Sequence, residues 1–432
     1  MMKLNMKLLL PGVFVLALAP LPLRAQVATA APKPRIEAGF ATDRLARIDQ
    51  MMQRYVDANH IAGAVALVMR DGRVVYERAV GWADKEAGRR MTPDAIFRIA
   101  SQTKAITSVA VMILMEEGKL ALEDPVGRYI PQFTRTTVAI RSDTGRVIVP
   151  AKRAITIYDL LTHTAGISYG TDRIVAPLYE AKGLGPAAGQ GWYTADKNEP
   201  ICTTMERLGT LPFVAQPGEA WVYGYNTDIL GCVVERASGI PLDRFIRTRI
   251  TDPLGMNDTH FFLPPEKRQR LTVVYLRDSA GRNKPAAKGP HGQGDYVDGP
   301  RRSFAGGAGL LSTARDYARF LQMLLNGGEL DGVRILSPKT VDVMTSNQIG
   351  SLYNWVPGQG FGLGFSTADR VGADGLASVG TWGWGGAYGS IYKVDPKERL
   401  VMVFMVQQFP WGVEARERFP TLVYQALVEP KK

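Results

Sequence analysis

The spacing of apolar positions changes several times along the chain, and each change marks an element. From Asp43 to Asn59, Leu45, Ile48, Met52, Tyr55 and Val56 recur at helical spacing. Gly63 to Val80 reads as two strands meeting at Asp71-Gly72, a dipeptide that favours a tight hairpin turn. Between Ile99 and Gly118 little polar face remains: Ala105, Ile106, Val109, Val111, Met112, Ile113, Leu114 and Met115 fill it. A helix apolar all round predicts burial at the centre of the molecule. The middle of the chain carries helical segments at Ile157 to His163, Asp228 to Ser238 and Leu242 to Ile250, separated by long Gly/Pro-rich loops. Residues 283–309 are the most irregular, and so long a loop in a compact domain points to function or motion. Thr313 to Asn326 is again helical. Strands follow at Phe361 to Ser366, Gly389 to Val394 and Leu400 to Gln407, and Arg416 to Val428 closes as a helix. Strands at both ends with helices between them predict an α/β (α+β) fold: an antiparallel sheet from both termini with a helical insertion.

The first residues carry a different pattern. Met1 to Lys7 is basic, Leu8 to Leu23 is apolar, and Leu23-Arg24-Ala25 ends in a small residue. That apolar run is 16 residues and contains Pro11, Pro20 and Pro22, whereas a spanning helix needs roughly 20. It predicts a removable signal peptide over 1–25 and no stable membrane anchor. A disordered Ala/Pro-rich lead-in is expected over 26–40, and a periplasmic or secreted location for the remainder. The formal charge is +11, but no basic run is interleaved with aromatics, so nucleic-acid binding has little support. Cys202 and Cys232 are the only cysteines; they either pair or remain two buried thiols. The four histidines form no His-Glu-x-x-His and no ligand cluster, which disfavours a zinc enzyme.

Two serines compete as nucleophile. Gly166-Ile167-Ser168-Tyr169-Gly170 fits Gly-x-Ser-x-Gly, yet that elbow needs a strand before it and a helix after it. A helical segment precedes it and a glycine-rich loop follows, so Ser168 reads as a turn residue. Ser101-Gln102-Thr103-Lys104 opens the buried helix instead. Residues three apart share a helical face, so the Lys104 amine can reach the Ser101 hydroxyl. A helix N-terminus favours developing negative charge on that oxygen. In apolar surroundings an amine loses its charge more readily and becomes able to accept a proton.

The segments Phe97 to Lys104 (FRIASQTK), Ile155 to Gly166 (ITIYDLLTHTAG), Pro217 to Gly231 (PGEAWVYGYNTDILG), Ala305 to Phe320 (AGGAGLLSTARDYARF) and Trp382 to Gly389 (WGWGGAYG) fall in one order. In that order they resemble the landmarks of the β-lactamase-related serine hydrolases, the class C β-lactamase and family VIII carboxylesterase group. The resemblance spans about residues 41–425. It implies a β-lactamase/DD-peptidase-like fold for 41–430, with a sheet subdomain at about 41–124 and 301–430 and a helical subdomain at about 125–300. It implies no metal or cofactor. It makes Ser101 the nucleophile, Lys104 and Tyr223 its proton-transfer partners, and the backbone N–H groups of Ser101 and Ala387 the oxyanion hole. Tyr225, Trp384, Gly385 and Gly386 fall at substrate-binding positions.

Departures from the family pattern narrow the reaction. Class C β-lactamases carry Tyr-x-Asn, whose amide binds the substrate's acylamide, and Lys-Thr-Gly, whose lysine meets the lactam carboxylate. Here Tyr225 stands where the asparagine would, with Asn226 one residue on, and Trp384 replaces the lysine. Losing the cation removes a charge-assisted contact. Trp-Gly-Gly is the third motif of family VIII carboxylesterases, so the resemblance implies an esterase acting on neutral esters; with the amino-terminal pattern, an exported one is expected. β-Lactamase or D-Ala-D-Ala carboxypeptidase action is the first alternative, and a non-catalytic penicillin-recognition module the second.

Overall fold

The structure, a computed structural model, describes Met1 and residues 35–143, 145–188, 193–279, 281–287, 293–410, 412 and 414–431. The expected signal peptide lies, but for Met1, outside the described residues. So does the lead-in up to residue 34. From Ile36 onward that lead-in is ordered: Ile36–Glu37 pairs with Phe40–Ala41, because Phe40 is fully buried beneath the terminal helices.

Eight strands form the main sheet: β1 (Gly63–Arg70), β2 (Arg73–Asp84), β3 (Arg89–Arg90), β4 (Gln359–Phe361), β5 (Ser366–Ala368), β6 (Trp382–Gly385), β7 (Ile391–Asp395) and β8 (Leu400–Val406). Their spatial order is β4-β5-β6-β7-β8-β1-β2-β3, antiparallel throughout, so the two ends of the chain meet at the β8–β1 pair. Successive side chains of a strand point to opposite faces, and both faces of these central strands are covered. Ala64, Ala66, Val68, Met402, Phe404 and Val406 pack against α1 (Thr42–Asp57) and the closing helix, here α5 (Glu414–Tyr424). Val65, Leu67, Val401, Val403 and Met405 join the other core, with α2 (Thr103–Glu116), α3 (Asn226–Ser238) and α4 (Ala314–Leu325). Burial on both faces is why β8 is apolar without alternation.

One expected strand is interrupted, and one sheet was not expected. Phe361 to Ser366 is not one strand: β4 ends at Phe361 and β5 begins at Ser366, with Gly364 at φ +101° in the turn between them. The middle stretch also holds a small sheet, a hairpin of Thr137–Ser142 with Gly145–Pro150 to which Pro212–Phe213 adds in parallel. Cys202 and Cys232 are bonded, which ties the helix Ile201–Leu208 to α3.

Candidate active site

Ser101 sits in a 3₁₀ turn, Ala100–Gln102, that runs directly into α2. The residue before it, Ala100, holds φ +44°, a left-handed conformation that costs a non-glycine residue energy. Ser101 and Lys104 are 6% and 2% exposed, and Lys104 Nζ lies 3.4 Å from Ser101 Oγ. The amine also lies 2.8 Å from the Tyr169 hydroxyl and 2.8 Å from the Gly307 carbonyl oxygen. Its distance to the centre of the Tyr223 ring is 4.6 Å.

Tyr169 is a site residue that sequence reasoning passed over. It occupies the fourth position of the Gly166–Gly170 turn, beside the serine of the misleading motif. Ser168 Oγ accepts the backbone N–H of Gly170 at 3.1 Å, so that hydroxyl closes its own turn. Burial, then the nearby Tyr223, pushes the Tyr169 hydroxyl well above the usual tyrosine range, so it keeps its proton. The turn reaches the site because Gly224 crosses it closely: a side chain at Gly224 would begin 2.2 Å from the Ile167 carbonyl oxygen.

Tyr223 is half-buried, and its hydroxyl accepts the Trp384 indole N–H at 3.1 Å. Its ring meets His163 at 4.9 Å and Trp384 at 5.5 Å between centroids. His163 is held neutral: burial, then Lys104, lowers it well below the usual histidine range. Its Nδ1 lies 2.8 Å from the Asn226 amide nitrogen, and accepts from it in the tautomer that carries its hydrogen on Nε2. That amide nitrogen also reaches the carbonyl oxygens of Ile167 and Val222, so Asn226 stitches loops together and is fully buried.

Tyr225 requires a correction. It is fully buried, its hydroxyl accepts the Gly185 N–H at 2.8 Å, and its ring packs on Tyr169 and Tyr179. It supports Tyr169 from behind and cannot line a substrate pocket in this arrangement. An aromatic residue next to Gly224 turns inward here because the neighbouring turn leaves an apolar slot for it.

Trp384 and Gly385 end β6 and are half-buried, and Gly386 follows against the nucleophile turn. A side chain at Gly386 would begin 2.7 Å from the Ile99 carbonyl oxygen, so only glycine lets the strand approach this closely. The Gly386 N–H is taken by Ser390 O at 2.8 Å; Ala387 comes next in the chain, partly exposed. Arg416 of α5 lies beside the motif: a side chain at Gly385 would begin 2.8 Å from its Nη2. Asp228, at the start of α3 and buried, accepts the Gly307 N–H at 3.3 Å and Thr194 Oγ1 at 3.1 Å. It thereby holds Gly307, the residue whose carbonyl receives Lys104, from its N–H side. Burial raises the Asp228 carboxyl, and Lys104 opposes that shift.

Comparison with known proteins gives the chain a family. The β-lactamase family model matches residues 48–426. Protein Rv1367c of Mycobacterium tuberculosis is 37% identical over 374 residues, covering 82% of this chain and 88% of its own length. Esterase EstB of Burkholderia gladioli is 35% identical over 373 residues, with the same two coverages. The solved structure of EstCE1, a hydrolase with promiscuous acyltransferase activity, superposes with a TM-score of 0.74 at 28% identity, over 90% of this chain and 99% of that one. With a match over most of its length and the Ser101–Lys104 pair in place, the chain belongs to the β-lactamase family and is a serine hydrolase.

Proposed function

We propose that this enzyme is exported and hydrolyses neutral carboxylic esters through an acyl-enzyme on Ser101. The observation that carries the ester reading is the Trp384 Nε1 contact with the Tyr223 hydroxyl at 3.1 Å. An uncharged aromatic stands where a lactam carboxylate would need a cation, and it holds the tyrosine's oxygen by a neutral hydrogen bond. The name of esterase EstB supports the same substrate class.

The geometry supports the following steps. A neutral amine has two N–H bonds and one lone pair. For Lys104 to act as the base, its lone pair must face Ser101 Oγ; the Tyr169 hydroxyl and the Gly307 carbonyl oxygen, each 2.8 Å away, can then take the two hydrogens. Lys104 takes the serine proton as Oγ bonds to the ester carbonyl carbon. The 3.4 Å separation is long for that transfer, and such contacts tighten when substrate binds. The backbone N–H groups of Ser101 and Ala387 receive the oxyanion, a contribution of about 3–4 kcal/mol for a single donor in comparable sites. Tyr223 passes a proton to the departing alkoxide as the C–O bond breaks, and Lys104 resupplies it. Water then attacks the acyl-enzyme by the reverse proton path, releasing the acid and restoring Ser101.

Export is supported by the amino-terminal pattern and by the Cys202–Cys232 bond, which suits an oxidising compartment. Arg416 beside Gly385 favours a second reading, a lactam or peptide carboxylate bound from the α5 side. A fluorophosphonate probe followed by peptide mapping tests the nucleophile, and rates on p-nitrophenyl esters, nitrocefin and D-Ala-D-Ala peptides test the class. Labelling of any serine other than Ser101, or turnover of nitrocefin alone, would contradict the proposal. Fractionation of the producing cell, with sequencing of the mature amino terminus, tests export.

A further inference from the structure

Aromatic side chains crowd one side of Tyr223, and one of them is left in solvent. Trp221 stacks on Tyr223 at 5.7 Å and 15° and is itself 8% exposed. Trp355, in the loop before β4, meets Trp221 edge-on at 4.5 Å and lies 6.2 Å from the Tyr223 ring. Yet Trp355 is 59% exposed, and its neighbour Val356 is 38% exposed. Tyr353 and Trp384 brace the cluster at 4.9 and 6.2 Å from Trp221. Isolated surface aromatics need no explanation, but an open indole at the end of a braced aromatic row beside a proton donor has the form of a ligand shelf.

We propose that Trp355, backed by Trp221, is the subsite for an apolar, aryl-bearing alcohol portion of the ester. This rests on the ester-hydrolase reading above. The side of the scissile bond follows from chemistry. The group that protonates the leaving oxygen sits next to the departing alcohol, and Tyr223 is that group. On the same reading Ser101 and the oxyanion donors serve the acyl carbonyl, where Gly386 meets the nucleophile turn: a side chain at Gly386 would begin 2.7 Å from the Ile99 carbonyl oxygen. Side chains flanking Tyr223 therefore meet the alcohol, and the acyl-enzyme formed after it leaves no longer touches them.

Two ester series separate the halves of the substrate. In one the acyl group is always acetyl and the alcohol is ethyl, phenyl or 2-naphthyl. In the other the alcohol is always p-nitrophenol and the acyl chain runs from acetyl to octanoyl. For Trp355→Ala, the ratio of kcat/KM for 2-naphthyl acetate to that for ethyl acetate should fall roughly 3- to 10-fold, the worth of one lost aromatic contact. Trp355→Phe should restore most of it. Ratios along the acyl series should be kept in both variants. A changed acyl-length profile, an equal loss on every ester, or an unchanged alcohol ratio would overturn the subsite while leaving the esterase reading intact. A wild-type enzyme inert toward every ester would instead overturn that reading, and the subsite with it.

Discussion

Lys104 Nζ lies 2.8 Å from the Tyr169 hydroxyl, and that hydroxyl belongs to a turn 65 residues further along the chain. Together with Gly307 O it fixes two of the three directions in which the amine can bond, leaving the third for Ser101. Tyr169→Phe removes one fixed acceptor and should lower kcat by about tenfold with little change in KM, the scale of one hydrogen bond. Tyr223→Phe removes a proton carrier and should cost about 10²- to 10⁴-fold. Combining Tyr223→Phe with Lys104→Ala should lose little beyond the worse single variant, because groups acting as one unit are non-additive. Steady-state rates on one ester decide this: losses that multiply would place the two on separate proton paths.

Ser101→Ala should abolish turnover while the fold persists, and Ser168→Ala should keep most activity. The second change deletes only the Ser168 Oγ contact with Gly170 N–H, a stability cost of about 1 kcal/mol. Paired kcat and urea-midpoint measurements check both halves. An inactive Ser168→Ala beside an active Ser101→Ala would overturn the assignment.

What could be read from the chain was local. Ser101 and Lys104 are three residues apart on an apolar helix, so their meeting is set by helical geometry alone. The hairpin at Asp71-Gly72 and the run of β8 are likewise written in short windows. Tyr169 had no such signal. Its place depends on a glycine crossing at Gly224, and its neighbours imitate a different serine-enzyme motif. The one hint was that a non-catalytic Gly-x-Ser-x-Gly turn still has to pack against something. Tyr225 misled for the opposite reason: its position matched a motif, while the apolar slot behind Tyr169 decided where its ring went. The Thr137–Ser142 and Gly145–Pro150 hairpin went unseen although both segments are rich in Val and Ile, because helices dominated the surrounding windows.

The bond between Cys202 and Cys232 closes a loop with a sequence separation of 30. Restricting the unfolded chain by a loop of that size contributes about 3–4 kcal/mol in the chain-entropy account. Reduction, or the Cys202→Ser/Cys232→Ser variant, should lower the thermal midpoint while leaving ester turnover at 25 °C measurable. Thiol titration of the denatured, unreduced protein gives the direct check: two reactive thiols there would disprove the bond.

His260 is a pH-dependent part of stability. Burial, reinforced by Lys267, lowers its pKa from 6.5 to about 4. Between those values the unfolded chain binds a proton that the native imidazole refuses, so this contribution is present above pH 6.5 and lost toward pH 4. Asp228, Glu235 and Asp316, raised by burial, change stability in the opposite sense. The His260→Gln variant isolates the histidine. Its stability difference from wild type should shift in the variant's favour by at most about 1.4 kcal/mol per pH unit across that window. Urea midpoints at pH 7.5, 6 and 5 measure it, and a constant difference would mean His260 takes its proton as readily folded as unfolded.

Substrate preference turns on what stands at the end of β6. Trp384 presents an indole whose N–H is already given to Tyr223, so it offers a carboxylate neither charge nor a spare donor. Arg301, a cation of the irregular loop, is turned away, with its Nη2 donating to the Leu263 and Val297 carbonyl oxygens. Arg416 lies beside Gly385, but it is largely buried in α5, and that burial lowers its pKa. A lactam carboxylate entering here would shed water and regain little, whereas a neutral ester sheds less and gains aromatic contact. We therefore expect higher kcat/KM for short- to medium-chain neutral esters than for nitrocefin or a D-Ala-D-Ala peptide. Trp384→Lys should move that ratio toward the lactam by about tenfold or more, the worth of a charge-assisted hydrogen bond. The same change frees the Tyr223 hydroxyl, so ester turnover should drop as well. Arg416→Gln separates the two cations: if it alone abolishes residual lactam turnover, the carboxylate enters from the α5 side. Efficient cephalosporin hydrolysis beside poor ester turnover in the wild-type enzyme would refute the ester preference, yet leave Ser101, Lys104 and Tyr223 in their places.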